Sequence, residues 1–172
     1  MPGLFEVDLG NGFSVNVLAI DPGPEQSAWL IVNEAGVLCS FGIVPNQQVL
    51  ERLETWASPG EARQPEVVIE MIASYGMAVG TSVFETCVWI GRFEQHAANY
   101  GALVTRLPRL AVKMHLCHTA RAKDSNVRQA LVDRFGDPGT KKNPGKLYGI
   151  KSHLWPALAL AVTYLDMMKK EL

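Results

Sequence analysis

The sequence predicts an α/β fold, a five-stranded mixed sheet with helices on both faces. Three observations carry the prediction. Five short apolar runs rich in β-branched residues read as strands, several longer stretches show helical spacing, and the order is three strands, then helix, strand, helix, strand and terminal helices. With 172 residues, 48% of them hydrophobic, the chain has the material for one domain over residues 1–172 with its own core.

The first run, Val15 to Ile20, stops at Asp21-Pro22-Gly23, which reads as a buried strand ending in a turn. Ala28 to Val32 and Val37 to Ile43 follow as a strand pair, because Asn33-Glu34-Ala35-Gly36 between them has hairpin-turn composition. Val49, Leu50, Leu53 and Trp56 are spaced for a helix that Ser58-Pro59-Gly60 ends. Val67 to Ile69 is a fourth strand closing on Glu70. After a glycine-containing loop, Ser74 to Gly80, Thr81 is placed to cap a long helix to about Tyr100. The apolar stripe of that helix is wide for one facing a single sheet, so Trp89 and Phe93 are expected either to be buried or to meet a partner subunit. Ala102 to Leu107 is the fifth strand, Asn126 to Phe135 a basic amphipathic helix, and Ser152 to Met168 a final helix with a very apolar beginning. Asp137 to Gly149, rich in Pro, Gly and Lys, reads as a mobile loop.

A net charge of −1 hides a strong asymmetry. The segment 106–151 carries 11 Lys/Arg against the three acids Asp124, Asp133 and Asp137, whereas the remainder holds 5 basic and 14 acidic residues. One block of the chain is therefore a candidate phosphate-binding surface, with Arg121, Lys141, Lys142 and Lys146 among its members. The stretch Met1 to Asp8 has two acids and no Lys or Arg, and no apolar run approaches the roughly 18 residues of a membrane span. A cytoplasmic protein without signal peptide or membrane partner is expected. Cys39, Cys87 and Cys117, odd in number and far apart, suit small buried hydrophobes in a reducing compartment better than a disulfide framework.

An acid followed by Pro-Gly is ordinary turn punctuation when it stands alone. Asp21 does not, because Glu70 occupies the same place at the end of Val67-Val68-Ile69-Glu70. If those strands are neighbours, two carboxylates converge at one sheet end, where they repel unless a cation lies between them. Hard oxygen donors of this kind suit Mg²⁺ or Mn²⁺. His153, at the start of the last helix, is the candidate third ligand or proton handler. His115-Leu116-Cys117-His118 has the wrong spacing for a zinc site.

Four blocks resemble the RuvC-type Holliday junction resolvases of the RNase H-like fold: VLAIDPGPEQSAWLIV, VVIEMIASYGMAVGTSVFETCVWIGRF, AVKMHLCHTARAKDSNVRQALV and SHLWPALALAVTYL. The match runs from about Val15 to Leu165, is specific chiefly in its acid positions, and is nearest to the compact phage-type members. It implies a homodimer that cuts four-way junctions with Mg²⁺ or Mn²⁺. Asp21 and Glu70 fall on the first two metal-binding acids, and His153 on a position held by Asp or His. Lys113 and Lys123 fall on or near the family's basic residues at the scissile region. The family's junction-wedging aromatic falls on Ala73, with Tyr75 or Met77 near enough to replace it. One position departs: where the resemblance implies a fourth acid, the chain has Pro156. Asp166, more than three turns beyond His153 along the helix at about 1.5 Å per residue, is too remote to substitute. Asp124 or Glu85 is left as the acid to compensate, and a weaker second metal or a preference for Mn²⁺ is the expectation.

Other readings place different demands on the chain. A sugar-kinase or actin-like ATPase needs a second Asp-Gly phosphate loop, which is not found. A non-catalytic branched-DNA-binding protein explains Pro156 but leaves Asp21 and Glu70 without work. An RNase H-like nuclease acting on RNA shares the site and differs only in substrate.

Overall fold

The computed structural model describes residues 16–56 and 64–171; Val15, the Met1 to Asp8 stretch and Ser58-Pro59-Gly60 lie outside them. The elements are β1 (Asn16–Asp21), β2 (Gln26–Asn33), β3 (Leu38–Pro45), α1 (Asn46–Trp56), β4 (Glu66–Met71), α2 (Thr81–Asn99), β5 (Leu103–Pro108), α3 (Arg109–Cys117), α4 (Asp124–Phe135) and α5 (Leu154–Glu171). The sheet order is β3-β2-β1-β4-β5. β1 runs antiparallel to β2, and β2 to β3, whereas β1–β4 and β4–β5 are parallel. The hairpin turn forms as its composition predicts: Gly36 takes φ 77° and the Val37 N–H donates to Asn33 Oδ1 at 2.9 Å.

Strand pleating divides the core in two, since successive side chains leave a strand on opposite faces. Leu18, Ile20, Trp29, Val67 and Ile69 pack with α1 and α2 on one face. Val17, Ala19, Ala28, Leu30 and Val68 pack with α5 and residues of α3 and α4 on the other. From Leu154 to Leu165 every residue of α5 but Pro156 is buried, as expected for a helix apolar on all sides. Ala19 and Ala28 below it and Ala157, Ala159 and Ala161 within it keep the helix close to the sheet. Pro156 costs the helix nothing because first-turn N–H groups have no intrahelical partner.

Several expectations need correction. Gly80, with no side-chain cap, precedes α2, and Thr81 is its first helical residue. Phe93 is fully buried, as one of the two expectations had it, and Trp89 is half-buried at the edge of the same core under Arg92; the exposed large apolar residues of α2 are Phe84 and Val88. The segment between β5 and the basic helix is itself a helix, α3, entered through Pro108 and closed by His118 in the left-handed region at φ 57°. The three cysteines are free but only half-buried.

Candidate active site

Parity carries the acids to one place. Val17 and Ala19 face α5, so Asp21, two residues further, does too, and Glu70 follows Val68 in the same way. The parallel register Ile20↔Ile69 sets the two carboxyls side by side at the carboxyl ends of neighbouring strands. His153 is delivered from the turn before α5, where Ser152 takes φ 46°. The His153 Nδ1 lies 3.0 Å from Asp21 Oδ2.

Asp21 is held from beneath by a polar lock. Buried Ser27 and Asn46 brace the turn after β1: Ser27 Oγ donates to Asn46 Oδ1 at 2.6 Å, Asn46 Nδ2 to the Gly23 carbonyl at 2.9 Å, and the Gly23 N–H to Ser27 Oγ at 3.2 Å. Gly23 has no alternative, because a Cβ there would sit 2.4 Å from the Gln26 carbonyl oxygen. Neither Ser27 nor Asn46 is signalled by pattern, since a lone polar residue at a strand start or helix start is common.

Burial dominates the electrostatics. It raises the Asp21 carboxyl above its ordinary value, against the opposing hydrogen bond with Glu70 and the charge of Arg109. Glu70 is pushed up to about 8, by burial first and then by its hydrogen bond to Asp21 and that residue's charge. Each carboxyl therefore holds its proton more tightly than usual. This is the behaviour of two carboxylates with no cation between them, and their oxygens fit a divalent cation that displaces the proton. The shell is not preformed: among the described residues no three His, Cys, Asp or Glu donors surround a common point. Asp21, Glu70 and His153 are the residues that could hold the ion.

A further residue enters the site from α3. Arg109, the first residue after β5, reaches Glu70 Oε1 with Nη1 at 3.4 Å and Asp124 Oδ1 with Nη2 at 2.6 Å. Its hydrogen bond holds the Asp124 carboxyl below the ordinary range. The groove on this side is lined by Glu70, Arg109, Lys113, Asp124 and Pro156. A second groove, about 220 Å³, opens past Asp21, Gly23, Gln26 and His153. Arg109 escaped the sequence reading, although its place was available: Leu107 pairs with Glu70 across β4–β5, so whatever follows β5 meets the acids.

Of the remaining candidates, Lys113 lines the Glu70 groove. Arg121, Lys123, Lys141, Lys142, Lys146 and Tyr75 are exposed on the surrounding loops and line neither groove. Asp124 borders the site, whereas Glu85 lies on α2, which packs against the opposite face of the sheet. Asp166 is engaged elsewhere, 2.8 Å from His115 Nε2 and bidentate with Arg134 at 2.6 and 2.7 Å.

No family model and no curated protein sequence matches the chain. Among solved structures it is similar to Thermus thermophilus RuvC, with a TM-score of 0.65 and 19% identity over 91% of this chain and 96% of that one. It is likewise similar to T. thermophilus RuvC in complex with Holliday junction substrate, with a TM-score of 0.66, the same identity and the same coverage. Sheet order, helix placement and these matches together establish that the chain has the RuvC fold, of the RNase H-like type.

Proposed function

We propose that the protein is a metal-dependent endonuclease that hydrolyses phosphodiester bonds in four-way junctions or other branched DNA. The observation that carries this reading is the buried Asp21 beside the half-buried Glu70, set by two parallel strands on the face where His153 arrives. The RuvC relative bound to a Holliday junction supports the substrate class. Bound Mg²⁺ or Mn²⁺ would supply an acidified water and charge neutralisation at the phosphate. Asp21 and Glu70 are the residues to hold it. His153 fixes Asp21 through Nδ1, and its ring, 68% exposed, leaves Nε2 open to exchange a proton with solvent or substrate. Lys113 and the exposed Arg121, Lys123, Lys141, Lys142 and Lys146 offer phosphate contacts around the grooves, and exposed Tyr75 and Met77 offer apolar contact to an unstacked base step.

A homodimer of this phage-type resolvase, working in the cytoplasm, would present two such sites to one junction. Exposed Phe84 and Val88 on α2 are its proposed contact. The test incubates labelled four-way junction, flap, linear duplex and RNA with Mg²⁺ or Mn²⁺, alongside Asp21→Asn and Glu70→Gln. Cleavage of the junction is expected from the wild type, reduced on the order of 10²-fold or more by either substitution. Undiminished cleavage by both variants refutes the assignment. Junction binding without cleavage by the wild type favours a non-catalytic branched-DNA-binding protein, the reading that the donor-free Pro156 makes specific, and preferential cutting of RNA favours an RNA nuclease.

A further inference from the structure

The two grooves beside Glu70 are chemically unequal. On the Asp21 side lie a carboxylate and an imidazole that can turn toward a shared ion. On the other side, Asp124 and the Glu70 Oε1 oxygen are already bridged by the Arg109 guanidinium, and the α5 wall is Trp155, Pro156 and Ala159, which offer no side-chain oxygen. A divalent ion entering there would have to evict a fixed cation and would find no third protein donor.

We propose that the centre takes one divalent cation, on the Asp21–His153 side of Glu70, and that Arg109, clamped by Asp124, is the permanent positive charge on the other side that contacts the scissile phosphate. The inference rests on the nuclease reading and specifies how its site is built. Charge balance agrees with it. Once a cation has displaced the carboxyl proton, Asp21, Glu70 and Asp124 against Arg109 and Lys113 carry one negative charge; the divalent ion turns this into one positive charge, which a single phosphodiester cancels. A second ion would leave two positive charges unmatched beside the buried Asp21. Guanidinium suits the role because its planar fork holds a carboxylate with one edge and a phosphate oxygen with another, and it stays charged at every working pH. Arg109 is therefore a catalytic residue and Asp124 a positioning residue.

The experiment titrates Mn²⁺ into the full chain, followed by calorimetry and by the manganese spin signal, with cleavage measured in parallel. One ion per chain is expected for the wild type and for Arg109→Lys. The pair Arg109→Gln with Pro156→Asp, which removes the fixed cation and supplies a donor, is expected to take two. Arg109→Ala is expected to lose on the order of 10²–10³-fold in single-turnover cleavage while still binding Mn²⁺ on the Asp21 side, with partial rescue by added guanidinium. Asp124→Asn keeps one ion and lowers cleavage less, with no rescue by added guanidinium because Arg109 is still in place. Two ions per wild-type chain with cleavage intact overturn this proposal and leave the nuclease reading standing, as does full activity of Arg109→Ala. A wild type that takes up no Mn²⁺ and cuts nothing overturns both.

Discussion

Glu70 is where activity and stability pull apart within one side chain. Unfolded, its carboxyl has the ordinary value of 4.5, and folded it is raised to about 8, so between these values the folded chain is the better proton binder. The stabilisation is complete below 4.5 and is lost as the pH rises through 8, because the ionised group must then stay buried beside Asp21. Urea unfolding in EDTA at pH 5.5 and pH 8.5 is expected to show the wild type weakening, by on the order of a few kcal/mol at most, with Glu70→Gln much less affected because its amide never ionises. Equal pH slopes for the two proteins would show that burial does not strain this carboxyl. The same variant is the inactive one in the cleavage assay, which makes this pair of readouts diagnostic of a functional rather than a structural acid. Asp21 and Glu70 were legible in the sequence because each ends an apolar run at the same offset. Arg109 was not, and Asp124 stood only as one of two acids left to compensate, since what brings both to Glu70 is the packing of α3 and α4 after β5, which no local pattern reports.

Among the elements, α3, α4 and α5 are tied together by one carboxylate. Asp166 of α5 accepts both edge nitrogens of Arg134 from α4 and lies against His115 of α3. Arg134 first, and His115 after it, lower its carboxyl to about 2 from 3.8. A depressed value means stabilisation that is present above 3.8 and lost as the pH falls through 2. Asp166→Asn is expected to cost about 1–3 kcal/mol at neutral pH, on the scale of charged hydrogen bonds, and to flatten the acid limb of the stability profile, with little effect on metal binding at Asp21. An unchanged melting temperature would mean that the three helices hold by apolar packing alone. This clamp also explains why α3 escaped the sequence reading. Its apolar residues Leu110, Ala111, Val112, Met114, Leu116 and Cys117 fall all round a short helix in which only Val112 is buried, so their spacing marks no single face. The strands themselves were legible to within two or three residues because their burial is nearly continuous in β1, β2 and β4. Helix α1 begins three residues before its apolar pattern, at Asn46, because that side chain is recruited to the Gly23 turn, a tertiary use invisible to periodicity.

For the whole molecule, two surfaces invite partners and each makes a quantitative claim. Phe84 and Val88, 61% and 57% exposed and one turn apart on α2, sit on the helix that covers the sheet face away from the acids. Apolar residues paired in this way mark an association surface more often than isolated ones do. Sedimentation is expected to show a dimer that Phe84→Glu with Val88→Glu converts to monomer, with cleavage of one strand outlasting paired cleavage of the junction. A monomeric wild type at micromolar concentration would remove this face from the argument. The second surface is the basic block, and the structure reduces its effective charge. Arg106 pairs with Glu94, Arg109 with Glu70 and Asp124, and Arg134 with Asp166, while Arg128 stacks on Trp155. Arg121, Lys123, Lys141, Lys142, Lys146 and Lys151 are the exposed remainder. If four to six phosphates are met, junction affinity falls roughly 10²–10³-fold between 50 and 200 mM salt, less steeply than the full count of basic residues implies. Replacing Lys141, Lys142 and Lys146 by Gln then lowers the salt slope by about one contact per residue engaged, for matched and unmatched sequences alike. A slope unaffected by these substitutions would place the phosphates on the other basic residues of the block, Lys113, Arg121, Lys123 and Lys151.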